Sequence, residues 1–168
     1  PLGTVVKVLQ NLLREHVSIR DLLTVFETLA DEAHKTKDAE VLTESVRKAL
    51  SRNITVKYTD ERGGVQVMTL SPQIEELISN SLLQTEQGVQ LVMDPALAQD
   101  IIGQIAQTIE SHPEVAGQPI LLTSPTVRRH LYKLVSRFIP QLIVLSHSEL
   151  TSEASVSSVG IVEMSHAS

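Results

Sequence analysis

Ile120-Leu-Leu-Thr-Ser-Pro-Thr-Val-Arg-Arg-His-Leu131 places a change of secondary structure inside one short stretch. Ile120–Thr123 is a brief apolar run of the kind that forms a buried strand. Ser124 supplies a capping hydroxyl, and Pro125 suits the first position of a helix, where its missing N–H costs nothing. Val127, Leu131, Leu134, Val135 and Phe138 then recur at helical spacing. The same device occurs twice earlier, at Ser71-Pro72 after Met68-Thr-Leu70 and at Asp94-Pro95 after Val89–Met93. Leu142–Leu145 reads as a further buried strand, and Val156–Val162 as a last β-rich run before a polar, frayed tail. Strand-then-helix alternation of this kind predicts an α/β layer with at least some parallel pairing.

Upstream the period changes to that of helices. Val5, Leu9, Leu12 and Leu13 mark one apolar face, with Lys7, Gln10, Asn11 and Arg14 opposite. Ser18 is a good N-cap for a second helix whose stripe is Leu22, Phe26, Leu29, Ala30 and Ala33. Asp38 caps a third helix that buries Leu42, Val46, Ala49 and Leu50. The β-branched runs Ile54–Thr59 and Val65–Leu70 flank Asp60-Glu-Arg-Gly-Gly64 and predict a β-hairpin. The expected fold class is therefore α+β. A small helical subdomain over residues 1–70 ends in a β-hairpin, and a small α/β subdomain with a mixed sheet follows over 71–168.

Charge supports that division. Residues 1–70 carry ten basic and ten acidic side chains, whereas 71–168 carry four and ten. The four bases of the second part, Arg128, Arg129, Lys133 and Arg137, lie within ten residues. The net charge of −6, with two Tyr, two Phe and no Trp, argues against a nucleic-acid module. No cysteine is present, which removes disulfides and thiolate chemistry. The start at Pro1, without a methionine or a signal segment, reads as a piece of something longer or a processed chain.

No catalytic constellation emerges. The six histidines (His16, His34, His112, His130, His147 and His166) include no pair at the i, i+4 spacing of a helical metal site. The glycines form neither a dinucleotide fingerprint nor a P-loop, and Ser124 reads as a helix cap rather than a nucleophile. Asp31-Glu32, Asp60-Glu61 and Glu75-Glu76 are adjacent in sequence and point apart on a helix. No cofactor, metal or enzymatic activity is expected. Two surfaces read instead as contact candidates. One is the cationic series Arg129, Lys133 and Arg137, suited to an acidic partner or a neighbouring subunit, or simply a solvated helix face. The other is the polar side of the first helix, Gln10, Asn11 and Arg14.

Lys7-Val-Leu-Gln-Asn-Leu-Leu13, Glu15, Val17, Ile19-Arg-Asp-Leu22, Thr24, Glu27 and Leu29-Ala30 closely resemble the flagellar export-gate (FHIPEP) family, the FlhA proteins. Counterparts of that family serve virulence type III secretion systems. Leu42-Thr43, Val46-Arg47, Ala49-Leu50, Arg52, Leu121-Leu-Thr-Ser-Pro125, Arg128-Arg129, Phe138–Leu142, Val144-Leu-Ser146 and Glu149-Leu150 continue the likeness, which covers about residues 3–162. The resemblance implies a multi-span inner-membrane protein with four cytoplasmic subdomains, of which this chain holds the third (1–70) and fourth (71–168). It implies a location at the cytoplasmic face of the bacterial inner membrane, with membrane contact only through a region outside this chain. The implied partners are other copies of itself in a nine-membered ring, export chaperone–substrate complexes and export-ATPase-associated proteins. On that reading Arg20 and Asp21, beside Gln10 and Asn11, are the ring contact. A free-standing soluble adaptor, a virulence-type export gate and a small α/β enzyme with an unrecognised site stay open as alternatives.

Overall fold

Four helices build the N-terminal part of the chain, which a computed structural model describes together with the rest over residues 1–165. They are α1 (Leu2–Arg14), α2 (Leu22–Glu32), α3 (Ala39–Ala49) and α4 (Ser51–Tyr58). His166, one of the six histidines, and the last two residues of the tail lie outside the described residues. The chain divides into two units, Pro1–Gly63 with Ser148–Ala154, and Gly64–His147 with the chain from Ser155 onward.

In the helical unit, α3 packs against α1, α2 and α4. Its Leu42 and Val46 are buried together with Val8 and Leu12 of α1, Val25 and Leu29 of α2, and Ile54 and Tyr58 of α4. The buried stripes differ from those the sequence predicts. In α2 the core takes Val25 and Leu29, while Leu22, Phe26, Ala30 and Ala33 are exposed. In α1 Val8 replaces Leu13, which is exposed. Both helices are apolar on more than one side, so α3, rather than the pattern, selects the buried face. Asp21, not Ser18, caps α2. Its carboxylate accepts the Thr24 N–H at 3.1 Å and the Thr24 hydroxyl at 2.6 Å. Ser18 Oγ instead accepts the Arg20 N–H at 3.2 Å, within the loop. α1 ends with His16 in the left-handed region (φ 63), where the His16 and Val17 N–H groups close back on the Leu13 and Leu12 carbonyls.

The expected hairpin does not form. Ile54–Tyr58 is helical, because Ile54 and Tyr58, four residues apart, share one buried face while Val56 points to solvent. Packing against α3 overrides the strand preference of a β-branched run. The second half of the expected hairpin, β1 (Gly64–Leu70), pairs in parallel with strands far along the chain. It therefore belongs to the second unit, and the division near residue 70 moves back to Gly63.

A buried ion pair completes the helical unit. Arg47 of α3 and Glu149 are 2% and 1% exposed. Arg47 Nε and Nη2 donate to the two Glu149 carboxylate oxygens at 2.8 and 2.9 Å, and Glu15 lies 3.8 Å from the third guanidinium nitrogen. Thr55 of α4 donates to the Glu149 carbonyl at 3.2 Å and accepts the Thr151 N–H at 3.0 Å. Burial pushes the nearby Tyr58 phenol up, with Arg47 pulling the other way and Glu15 and Glu149 adding to the rise.

The second unit is built on a four-stranded sheet in the order β5-β4-β1-β6, every neighbouring pair parallel. Its other strands are β4 (Ile120–Thr123), β5 (Ile143–Ser146) and β6 (Ser155–Val162). Antiparallel pairing is confined to a separate ribbon, β2 (Leu82–Thr85) with β3 (Gly88–Leu91). The helices α5 (Pro72–Asn80), α6 (Pro95–Glu110) and α7 (Pro125–Val135) begin at the three predicted prolines. Their buried faces, Ile74 and Ile78, Ile101, Ile105 and Ile109, and Val127, Leu131 and Val135, join Met68, Leu121 and Val144 of the sheet in one core. Leu134 is half-buried, and Phe138, beyond the helix, is 65% exposed. Ser71 and Asp94 cap α5 and α6 with their own side chains. At α7 the capping group is Glu75 of α5, which accepts from the Thr123 hydroxyl, the Ser124 N–H at 3.2 Å and the Ser124 hydroxyl at 3.3 Å. Gly160 of β6 is required for a different reason, since a Cβ there would sit 2.6 Å from the His112 ring.

Two stability predictions follow from the helical unit. Arg47→Met strands a buried carboxylate and should cost about 3–5 kcal/mol, whereas Arg47→Met with Glu149→Leu should recover most of it. Denaturant titration followed by amide exchange in 148–154 reads both. The hydrogen bonds from Thr24 hold the Asp21 carboxyl below its ordinary range. The stability it adds is therefore present above that ordinary range and lost as pH falls through the lowered folded value. Asp21→Asn should remove this component, so the melting curves of the two proteins should differ near neutrality and converge in acid.

Candidate functional site

The contact candidates fall on three surfaces, and the structure treats them differently. On α1, Gln10 is exposed, but Asn11 is half-buried and faces α3. Its amide donates to Thr43 Oγ1 at 3.1 Å, and its carbonyl oxygen accepts from Arg14 Nη1 at 3.3 Å. The Asn11 amide thus serves α1–α3 packing, and the exposed Arg14 is tied to it. What α1 presents beside these groups is apolar. Leu2, Val6 and Leu13 are 79%, 43% and 52% exposed, and spacings of four and seven put them on one side of the helix.

The second surface surrounds the start of α2. Arg20 is exposed. Asp21 has both carboxylate oxygens engaged by Thr24, so it acts first as a cap. Next to them Leu22, Leu23 and Phe26 form an exposed apolar patch, Leu23 being the most open at 69%. Sequence reasoning placed Leu22 and Phe26 in the core and so missed this patch. The available signal was an excess of apolar residues, more than one stripe of an eleven-residue helix accommodates.

The third surface is on α7. The helix ends at Val135 with Ser136 as its C-cap, so Arg137 lies past the end of the stripe that Arg129 and Lys133 begin. Arg129 is half-buried, while Lys133 and Arg137 are exposed. Arg128, the fourth base, is buried and donates to the Val144 carbonyl at 3.0 Å. Lys133, His130 and Leu134 line a groove of about 300 Å³ with Val89, Gln90 and Leu91 of β3. His130 is itself a buried side chain of the α7 core face. Among the described residues no group of three or more His, Asp or Glu side chains could hold a metal, and no helix is long and apolar enough to cross a membrane. The three surfaces offer apolar contact, weak charge pairing and a shallow groove, which suits binding of macromolecules.

Comparison with known proteins agrees with the sequence likeness. The model of the FHIPEP family matches residues 1–155. The flagellar biosynthesis protein FlhA of Bacillus subtilis is 40% identical over 162 residues, 96% of this chain and 24% of that protein. The low calcium response locus protein D of Yersinia pestis is 31% identical over 160 residues, 95% of this chain and 23% of that protein. This chain thus spans about a quarter of the length of the curated relatives it matches. Among solved structures, the Chlamydia pneumoniae CdsV protein superimposes with a TM-score of 0.89 at 33% identity, covering 96% of this chain and 46% of that one. CdsV has also been solved in complex with CdsO, with a TM-score of 0.87 at 33% identity over 96% of this chain and 48% of the CdsV chain. The nonameric SctV-C of EPEC gives 0.85 at 34% identity, over 96% of this chain and 48% of its own. With the fold, the sequence and nearly the whole chain in agreement, this protein belongs to the FHIPEP family.

Proposed function

We propose that this chain is part of a non-enzymatic component of the flagellar type III protein export gate. It would lie at the cytoplasmic face of the bacterial inner membrane, in a homo-oligomeric ring that docks chaperone–cargo complexes and export-ATPase-associated proteins. In that reading the helical unit corresponds to the third cytoplasmic subdomain and the sheet unit to the fourth. The observation that carries the proposal is the exposed apolar patch Leu22, Leu23 and Phe26 beside Arg20, on a chain whose relative SctV-C is nonameric. A cyclic ring needs two unlike faces on each copy. The helical unit offers two apolar ones, the α2 patch and the Leu2, Val6 and Leu13 side of α1.

Magnitudes assign the roles. An exposed ion pair through Arg20 is worth roughly 0–1 kcal/mol, so it orients a contact rather than holding it. Covering one leucine side chain contributes about 1.5–3 kcal/mol, so the apolar patch supplies the affinity. The partner side of the platform would include the α7 surface at Arg129, Lys133 and Arg137, and the solved CdsV–CdsO complex is consistent with an additional protein partner. The higher identity to FlhA than to the low calcium response protein favours the flagellar system over a virulence one.

The test is made in the whole protein. Leu23→Asp should reduce the ring to smaller species by mass measurement and lower secretion at least tenfold, and Arg20→Glu should lower secretion less. Both should leave the melting temperature of this chain nearly unchanged. Intact rings with Leu23→Asp would remove the α2 patch from the interface, and a large fall in melting temperature would assign the residue to the fold. Charge reversal at Arg129, Lys133 and Arg137 with normal secretion and partner binding would dispose of the α7 docking role. A freely soluble whole protein would leave the adaptor reading in its place.

A further inference from the structure

The two outer strands of the parallel sheet are protected unequally. On β5 the buried guanidinium of Arg128 donates to the Val144 carbonyl, placing a fixed charge against that edge strand. Inward-pointing charge is one of the ways proteins keep an edge from recruiting another strand. β6, at the opposite end, pairs with β1 along one side only among the described residues. Its sequence, Ser155-Val-Ser-Ser-Val-Gly-Ile-Val162, contains no charge and no proline. Ser155–Ser158 are all exposed, and Val156 and Ile161 are 43% and 56% open. A register shift opposite Val67 and Met68 falls at Val159, so the regular stretch of edge is Ser155–Ser158.

We infer that this edge of β6 takes up an extended, basic segment of another protein by strand addition. Main-chain hydrogen bonds would supply the affinity and alternate side chains the selectivity. The charge of the neighbourhood selects the occupant. β1 and β6 are uncharged, α6 carries Asp100 and Glu110 and no base, and Glu114 and Glu163 follow the two elements. Just before β1, Arg62 is the one base and is outnumbered by Asp60 and Glu61, so the net fixed charge on these elements and just beyond them is negative, which favours a segment flanked by lysine or arginine. A second copy of β6 fits poorly. Glu153 precedes the strand and Glu163 follows it, so pairing in either direction brings like charges together. The inference rests on the docking-platform reading and names one class of partner for it.

The probe is a synthetic peptide, Arg-Val-Thr-Val-Thr-Val-Arg, added to the 168-residue chain and followed by amide exchange. At about ten times its dissociation constant it should slow exchange across 155–158 roughly tenfold. The same peptide N-methylated at alternate residues should give no protection, and a Glu-flanked version should bind several-fold more weakly. Val156→Lys, at an exposed position, should weaken binding with the melting temperature unchanged. No protection of 155–158, or equal protection by the Glu-flanked peptide, would overturn the inference. So would protection that rises with protein concentration alone, which would make a second copy the occupant. The readout is local to β6, so its failure leaves the ring reading intact, whereas loss of that reading would show as whole protein that does not assemble.

Discussion

The helical unit depends on one buried ion pair formed between residues that are 102 positions apart. Arg47 projects from the central helix α3, and its guanidinium meets both oxygens of Glu149 inside the protein. Neither group tolerates burial alone, because an unpaired charge in the interior costs far more than the pair gains. The segment Ser148–Ala154 is thus tied to α3 through Glu149. Thr55 strengthens the attachment by donating to one backbone group of that segment and accepting from another. The chain therefore leaves the sheet unit after β5, contributes seven residues to the helical unit, and returns as β6. A bidentate pair is also directional, so it fixes the register of the returning segment where an apolar contact would allow it to slide.

This pairing marks the boundary of what local sequence reasoning could reach. The Ser71-Pro72, Asp94-Pro95 and Ser124-Pro125 junctions were legible because capping and proline geometry are decided within a few residues. Each does begin a helix. The first three helices were legible from their apolar period, although the cap of α2 is Asp21 rather than Ser18 and the buried faces of α1 and α2 are set by α3. The α4 helix was not, since Ile54, Thr55 and Val56 favour a strand locally and only packing against α3 makes the segment helical. With that misreading went the hairpin, and with the hairpin the place where one unit ends. Nothing near Glu149 in sequence points to Arg47, 102 positions away. Even the cap of α7 is a tertiary feature, supplied by Glu75 in place of the Ser124 side chain.

The contact residues divide along the same line. Charged and amide side chains were chosen because polar groups stand out in a sequence. Two of them, Asn11 and Asp21, turn out to have internal work, one bridging α1 to α3 and the other capping α2. The apolar surfaces at Leu2, Val6 and Leu13 and at Leu22, Leu23 and Phe26 were hidden, because an apolar residue in an amphipathic helix is read as core by default. Exposure decides the matter, and exposure depends on which face α3 covers. In an assembly, apolar contact outweighs screened surface charge. On the proposed ring reading, the exposed Arg20 would lie at the margin of such a contact, where a charge sets orientation.

The sheet carries a parallel argument about what a protein leaves unguarded. An open edge is a standing hazard of association, and natural sequences blunt it with charge, proline or a bulge. β5 has a buried arginine at its carbonyl, while β6 has only the shift at Val159 and a row of serine and β-branched residues. Gly160 has no freedom to become a charged guard, because any side chain there meets the His112 ring. The stretch before it is under no such constraint, since Ser155–Ser158 are exposed and lysine would fit at any of them without disturbing the core. An edge that could be closed by one surface substitution, beside another that is closed by a buried charge, is best explained by use of the open one.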